Sequence, residues 1–93
     1  MSLDIELRRG EQARQLQQNE LYTEAFDTVR QAIIDKWIQC PVRDHEGQHE
    51  LKLMLKLLGE VTGFIDQVMQ TGKMAEIQLQ NERQMEKLKA AGL

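Results

Sequence analysis

Apolar residues recur at alternating steps of three and four between residues 50 and 72, a stretch that reads ELKLMLKLLGEVTGFIDQVMQTG. This spacing is an a/d seam over three heptads, and it predicts a long helix that packs along another helix. A second apolar stripe lies beside the seam, although a helix that packs on one side needs only one. The residues of this second stripe are Leu53, Leu57 and Phe64, with Leu55 beside them. We predict that they form a face for a partner protein.

The natural packing partner for this seam is a helix over residues 20–39. Its apolar residues fall on one face at steps of three and four. Pro41 disfavours helical geometry at Cys40, and Asp44 suits the N-cap of the next helix. A connection this short predicts an antiparallel helical hairpin in an all-α fold. The residues assigned to the helix–helix contact are Phe26, Val29, Ile33, Trp37, Leu51, Met54, Leu58, Val61, Ile65 and Val68.

The pattern divides the chain into a hairpin core over residues 19–72 and two helical arms. Residues 1–18 predict a polar N-terminal helix with little to bury. Gly72 resembles a helix end, since glycine readily takes the left-handed conformation at that position. Residues 73–93 then predict an amphipathic C-terminal helix. It either turns away from the preceding helix or continues that helix with a rotated apolar face. Gly59 and Gly63 share one helical face, either for close approach of another backbone or as neutral exposed positions.

Composition favours self-association and argues against several classes of protein. The chain has 93 residues, of which 29% are charged and only 4% aromatic, so one small domain has little material for a core. Its single cysteine excludes an internal disulfide. The net charge of −3 gives no overall attraction to nucleic acid or to an anionic membrane. The chain shows neither a signal peptide nor a membrane span, which favours the cytoplasm or a virion.

One motif has the form of a zinc-peptidase signature. His45, Glu46 and His49 form a literal HExxH, which on a helix would present two imidazoles and a general base. The chain has no third histidine, and Glu60 lies about 16 Å further along the helix than His49. The motif also falls in the first turn after a proline loop. We therefore expect no catalytic residue, metal or cofactor. The motif should be a solvated helix start. Activation of Cys40 as a nucleophile is disfavoured because no cleft is evident.

These features are compatible with three kinds of function. The first is a structural or interaction protein, a hairpin that forms homo-oligomers and presents its arms to other proteins. The second is a nucleic-acid-handling protein that uses the basic residues at the two ends, although acidic residues are interspersed with them. The third is a small enzyme that uses the HExxH motif. The missing third ligand and the position of the motif in the first turn of a helix disfavour this function. The basic residues concerned are Arg8, Arg9, Arg14, Lys73, Arg83, Lys87 and Lys89.

The run AFDTVRQAIIDKWIQCPVRDHEGQHELKLMLKLLGEV, followed by TGKMAEIQ, resembles short helical proteins encoded by tailed bacteriophages and prophages. The resemblance covers roughly residues 20–80 and carries no functional residues across. It implies a role in particle assembly or DNA packaging, with phage structural proteins as partners. An oligomeric virion or morphogenesis component is the first expectation. A DNA-binding protein like a small terminase subunit is the alternative, although the helix-turn-helix expected ahead of the hairpin is lacking.

Overall fold

A computed structural model describes residues 2–92, and in this range the protein is all-α. The helices are α1 (Leu3–Gln18), α2 (Glu20–Gln39) and α3 (His45–Ala90). The described residues contain no β-strand. The prediction of an all-α fold is therefore confirmed.

Each helix begins at a side chain that accepts a hydrogen bond from the first turn. The Ser2 hydroxyl accepts from the backbone N–H of Ile5 at 3.4 Å. The Asn19 Oδ1 atom accepts from the backbone N–H of Tyr22 at 3.0 Å and separates α1 from α2. The Asp44 Oδ1 atom accepts from the backbone N–H of Gly47 at 2.9 Å at the start of α3. These caps satisfy N–H groups that have no partner within the helix.

The connection between α2 and α3 is held by a side chain from α3 itself. Cys40 leaves helical geometry, with φ −67° and ψ 128°, as expected for a residue that precedes proline. The Gln48 side-chain amide donates to the carbonyl oxygens of Pro41 at 3.1 Å and Val42 at 3.2 Å. The turn is thus tied to the first two turns of the helix that follows it.

Helix α3 runs for 46 residues and passes through Gly72 without a break. The expected helix end at Gly72 is therefore wrong. In the described chain the glycine with positive φ is Gly92, at 78°, and its N–H donates to the carbonyl oxygen of Lys89 at 3.0 Å. The left-handed C-terminal position lies there, two residues beyond the end of α3.

The described chain divides into two compact units. The central unit is Leu16–Ile65, and the terminal unit comprises the described residues before and after it, 2–15 and 66–92. The sequence had suggested boundaries after residues 18 and 72. The boundary of the units thus falls within α3 at residues 65 and 66, and not at its glycine.

Small residues occupy the best-buried positions of the described chain. These positions are Gly10, Ala13, Gly72 and Ala75, all in the terminal unit. Residues 1–18 had been expected to bury little, yet Ala13 is only 3% exposed. No large side chain is fully buried anywhere in residues 2–92. The larger apolar residues are thus at best half-buried in the single chain.

Candidate interaction surface

Within the central unit, α3 has a half-buried inner face. Its residues recur at steps of four, three, four and three, which is the spacing of one helical stripe. The inner face comprises Leu51, Leu55, Leu58, Thr62 and Ile65. These residues belong to the central unit, in which α2 is the other long helix.

Thr62 is the polar member of the inner face, and its hydroxyl is satisfied locally. The Oγ1 atom donates to the carbonyl oxygen of Gly59 at 3.0 Å and lies 3.5 Å from that of Leu58. Bonding to the preceding turn is common for threonine in a helix and satisfies its polar atom. Thr62 can therefore occupy a half-buried position, which its polarity alone would not suggest.

A second stripe of α3, which we call the outer face, is exposed. It comprises Leu53, Met54, Leu57, Val61 and Phe64, each between 48% and 55% exposed. Contiguous apolar surface of this kind is typical of interaction sites. The outer face is the largest run of exposed apolar side chains on consecutive turns in the central unit, and it is our candidate functional surface.

The structure exchanges some of the residues that the sequence had assigned to these two faces of α3. Met54 and Val61, expected against α2, lie on the outer face. Leu55, expected on the partner face, lies on the inner face together with Leu51, Leu58 and Ile65. Leu53, Leu57 and Phe64 are exposed, in the positions expected of a partner face. Val68, also assigned to the hairpin seam, is half-buried within the terminal unit.

The residues expected on the packing face of α2 also differ in burial. Phe26 and Ile33 are half-buried, whereas Val29 and Trp37 are exposed. The ring of Phe26 packs against that of Tyr22 with a centroid distance of 4.7 Å and an interplanar angle of 47°. The half-buried stripe of α2 thus follows Tyr22, Phe26 and Ile33, and it leaves part of the expected face open.

In the terminal unit, α1 and α3 meet at a pair of glycines. A Cβ atom built on Gly10 would lie 2.7 Å from the Cα atom of Gly72. One built on Gly72 would lie 2.6 Å from the Cα atom of Gly10 and 3.1 Å from the carbonyl oxygen of Glu6. The two backbones are therefore in direct contact. This contact was not predicted from the sequence, because Gly72 had been expected to end a helix.

A groove of mixed charge lies beside this crossing in the terminal unit. Arg14, Lys73 and Arg83 line it together with Glu11 and Glu76. The Arg14 Nε atom donates to Glu11 Oε2 at 2.9 Å, and this hydrogen bond lowers the pKa of the Glu11 carboxyl. The groove thus presents basic groups, but acidic groups neutralise part of their charge.

The HExxH motif lies at the start of α3, where both imidazole side chains are exposed. His45 and His49 line a shallow pocket with Trp37, and the backbone N–H of Gly47 within the motif is used by the Asp44 cap. Among the described residues, no group of three or more histidine, cysteine or acidic side chains is arranged to hold a metal ion. The pocket therefore offers two imidazoles without the third ligand that a mononuclear zinc site requires.

Cys40 lies at the end of α2 and is half-buried. Burial raises the pKa of its thiol, and the neighbouring Asp44 carboxylate raises it further. The Cys40 Sγ atom lies 3.8 Å from Asp44 Oδ2. An activated cysteine needs the opposite environment, one that lowers the thiol pKa. The site therefore does not favour nucleophilic chemistry.

No helix in the described residues is both long enough and apolar enough to cross a membrane.

Comparison with known proteins yields no relative for this chain. No protein-family model, no curated protein and no solved structure matches the chain.

Proposed function

We propose that the protein is a non-enzymatic interaction component that associates with itself through helix faces. One observation carries this proposal. Sixteen large apolar residues in the described chain are exposed, whereas its buried positions are all glycine or alanine. A chain of this size gains little stability from its own core, and burial of these side chains between copies would supply the missing part.

We infer that the central unit is an antiparallel helical hairpin of α2 and α3. A connection of five residues, 40–44, joins the two helices, which is too short for a parallel return. Trp37 near the end of α2 lines the same pocket as His45 and His49 at the start of α3, as an antiparallel pair requires. The N-terminal and C-terminal helical segments are then the arms that precede and follow this hairpin in the sequence.

The biological setting that we propose is a tailed-phage particle. The resemblance of residues 20–80 to short phage-encoded helical proteins supports this setting, with the virion or the host cytoplasm as the location. A small helical protein without a reaction site fits a virion or particle-assembly component. Its partners would be further copies of the chain and other phage structural proteins.

Light scattering over a concentration series tests self-association directly. The expected result is a mass of at least two chains that falls on dilution, with helicity measured in parallel by circular dichroism. A well-folded protein that keeps the mass of one chain over the whole series would refute the proposal. Repeating the measurement with phage capsid and packaging proteins would then identify the partner.

A second candidate function, a DNA-packaging protein like a small terminase subunit, has one observation in its favour. Arg14, Lys73 and Arg83 line the same groove in the terminal unit, where they could contact phosphates. The acidic side chains in that groove weaken this proposal. The test is a gel shift with duplex DNA at low and moderate salt, comparing wild type with Lys73→Glu/Arg83→Glu. Absence of a wild-type shift at low salt would remove this alternative.

A further inference from the structure

We infer that the outer face of α3 binds the same face of a second copy. The two helices are antiparallel, and the two-fold axis crosses the outer face at the axial level of residue 59. This inference rests on the proposed function, because it names the surface and the partner through which self-association occurs. The occupant is a second copy of this chain, not a different protein. Three independent features of the molecule support it.

The first feature is the amount of surface that the single chain exposes. Its accessible area is 7633 Å² for a mass of 10.8 kDa. A folded monomer of this mass exposes roughly 5,500 Å², as given by the usual scaling of area with mass. The excess of about 2,000 Å² exceeds the roughly 800 Å² that each partner buries in a standard stable interface. The excess is a total for the whole chain, and it is more than twice the area that each partner buries in one such interface.

The second feature is the spacing of the outer face, which is complementary to itself. Met54, Leu57, Val61 and Phe64 follow steps of three, four and three, so the order is unchanged when the helix is reversed. An antiparallel pair centred on residue 59 would place Met54 opposite Phe64 of the second copy. It would place Leu57 opposite Val61 of the second copy. Such an isologous contact closes on itself with these four residues matched in pairs, and Leu53 at the end of the outer face lies outside the paired layers.

The third feature is the charge along the edge of the outer face. Lys56 and Glu60 are both exposed and lie four residues apart on this edge, next to Leu53, Leu57 and Phe64. In the antiparallel pair centred on residue 59, Lys56 of the second copy lies close to Glu60 of the first. Lys56 of the first copy likewise lies close to Glu60 of the second. The two chains then supply two opposite-charge pairs at the rim, which outnumber the single like-charge approach of the two Glu60 carboxylates nearest the axis. In a parallel pair the two-fold runs along the helices and places this edge of the two copies on opposite sides of the pair, so neither opposite-charge pair would form.

Gly59 and Gly63 do not form an alternative binding face for the second copy. Both are exposed, and a Cβ atom built on either would meet nothing within 4 Å. On a helical projection they lie on the side of α3 away from both apolar faces, at about 100° per residue. No other backbone of the chain therefore approaches α3 closely at these glycines. The outer face is the surface that the second copy would bury.

The experiment combines an acidic substitution with a matched control. Leu57→Glu should raise the dissociation constant about a hundredfold or more while helicity is kept, because the two-fold buries two carboxylates in each interface. Met74→Glu carries the same change in charge at an exposed apolar residue outside the outer face and should leave the dissociation constant within about threefold. An oligomer that survives Leu57→Glu would overturn the assignment of the face while leaving the proposed self-association intact. A monomeric wild type would instead refute the proposed function itself.

Distances between spin labels test the orientation without weakening the apolar layers, and they also decide the case if Leu57→Glu fails to fold. Single cysteines replace Glu60, Lys56 or His49 in a Cys40→Ser background. Axial separation between equivalent labels should grow by about 3 Å for each residue away from position 59, which is twice the helical rise. The expected axial components are about 3 Å at residue 60, about 9 Å at residue 56 and about 30 Å at residue 49. Equal short distances at all three positions would indicate a parallel pair and overturn the inference.

Discussion

Gly10 and Gly72 bring the backbones of α1 and α3 into contact, and neither position has room for a methyl group. A Cβ atom on either glycine would lie 2.6–2.7 Å from the Cα atom of the other. Helix α3 therefore places a residue of poor helix propensity in its interior for a packing reason. The same helix also contains Gly59 and Gly63, where the space around the backbone is open. These two pairs of glycines give opposite predictions for one substitution.

We expect Gly72→Ala to destabilise the fold, because the added methyl forces the two backbones apart. Overpacking of this kind costs about 1–3 kcal/mol, which opposes the gain of about 1 kcal/mol that alanine brings to a helix interior. Gly59→Ala should show that gain alone and stabilise by about 0.5–1 kcal/mol. Urea unfolding followed by circular dichroism measures both. If Gly72→Ala were as stabilising as Gly59→Ala, the close crossing of α1 and α3 would be wrong.

Leu55 and Leu53 provide a matched pair of leucines on α3, one on the inner face and one on the outer face. Leu55→Ala should cost about 1–2 kcal/mol at every protein concentration, since this half-buried leucine loses packing within its own chain. Leu53→Ala should cost less than about 0.5 kcal/mol at low concentration, because this exposed residue loses little intrachain packing. Denaturant midpoints measured over a dilution series test this difference. Equal costs at low concentration would contradict the assignment of the two faces.

Asp44 should contribute to stability as the N-cap of α3. Asp44→Ala removes the oxygen that accepts from the Gly47 N–H, and it should cost about 0.5–2 kcal/mol. Asp44→Asn retains an acceptor at the same position and should lose only a small part of that energy. Thermal unfolding of the three proteins gives the ranking. An Asp44→Ala variant as stable as wild type would show that the cap is dispensable.

Cys40 should react slowly with iodoacetamide at neutral pH. Burial and the Asp44 carboxylate both raise the pKa of the thiol, so the reactive thiolate should form only at a higher pH than in the unfolded chain. The sign for stability follows, because a raised folded-state pKa favours the fold below the unfolded thiol pKa. That contribution is lost as the pH rises through the folded pKa. Alkylation rates against pH, with the same chain in denaturant as reference, should give the higher midpoint for the folded protein.

Asp44→Asn separates the two causes of this shift in the Cys40 pKa. The variant removes the negative charge and keeps both the cap and the burial of the thiol. Its alkylation midpoint should therefore lie between those of the folded and unfolded wild-type chains. A midpoint unchanged from folded wild type would mean that burial alone raises the pKa.

Local chemistry made the helices and their starts predictable from the sequence. The capping side chain of Asp44 and the proline at residue 41 act within a few residues of their own position. The 3–4 spacing likewise identified the part of α3 before Gly72 and the existence of two apolar stripes. These features are fixed by short-range hydrogen bonding and by the period of the helix.

The assignment of residues to the two faces of α3 was less predictable, because it depends on long-range packing. Leu51 can begin either of two stripes, one through Met54 and Val61 and the other through Leu55 and Thr62. The prediction followed the first, because its apolar residues continue the a/d spacing. The structure uses the second, since Thr62 satisfies its hydroxyl on the preceding turn. Similarly, the role of Gly72 depends on Gly10, which lies 62 residues earlier in the chain.

The last turns of α3 have a consequence for the dynamics of the protein. Every described residue from 80 to 92 is exposed, although the helix continues to Ala90. A helix end that buries little surface is marginal in water, because its hydrogen bonds alone barely offset the backbone entropy. Amide hydrogens in these turns should therefore exchange with solvent by local opening, long before the rest of α3 unfolds. Protection that appeared there in a complex would report that a partner had ordered this end of the chain.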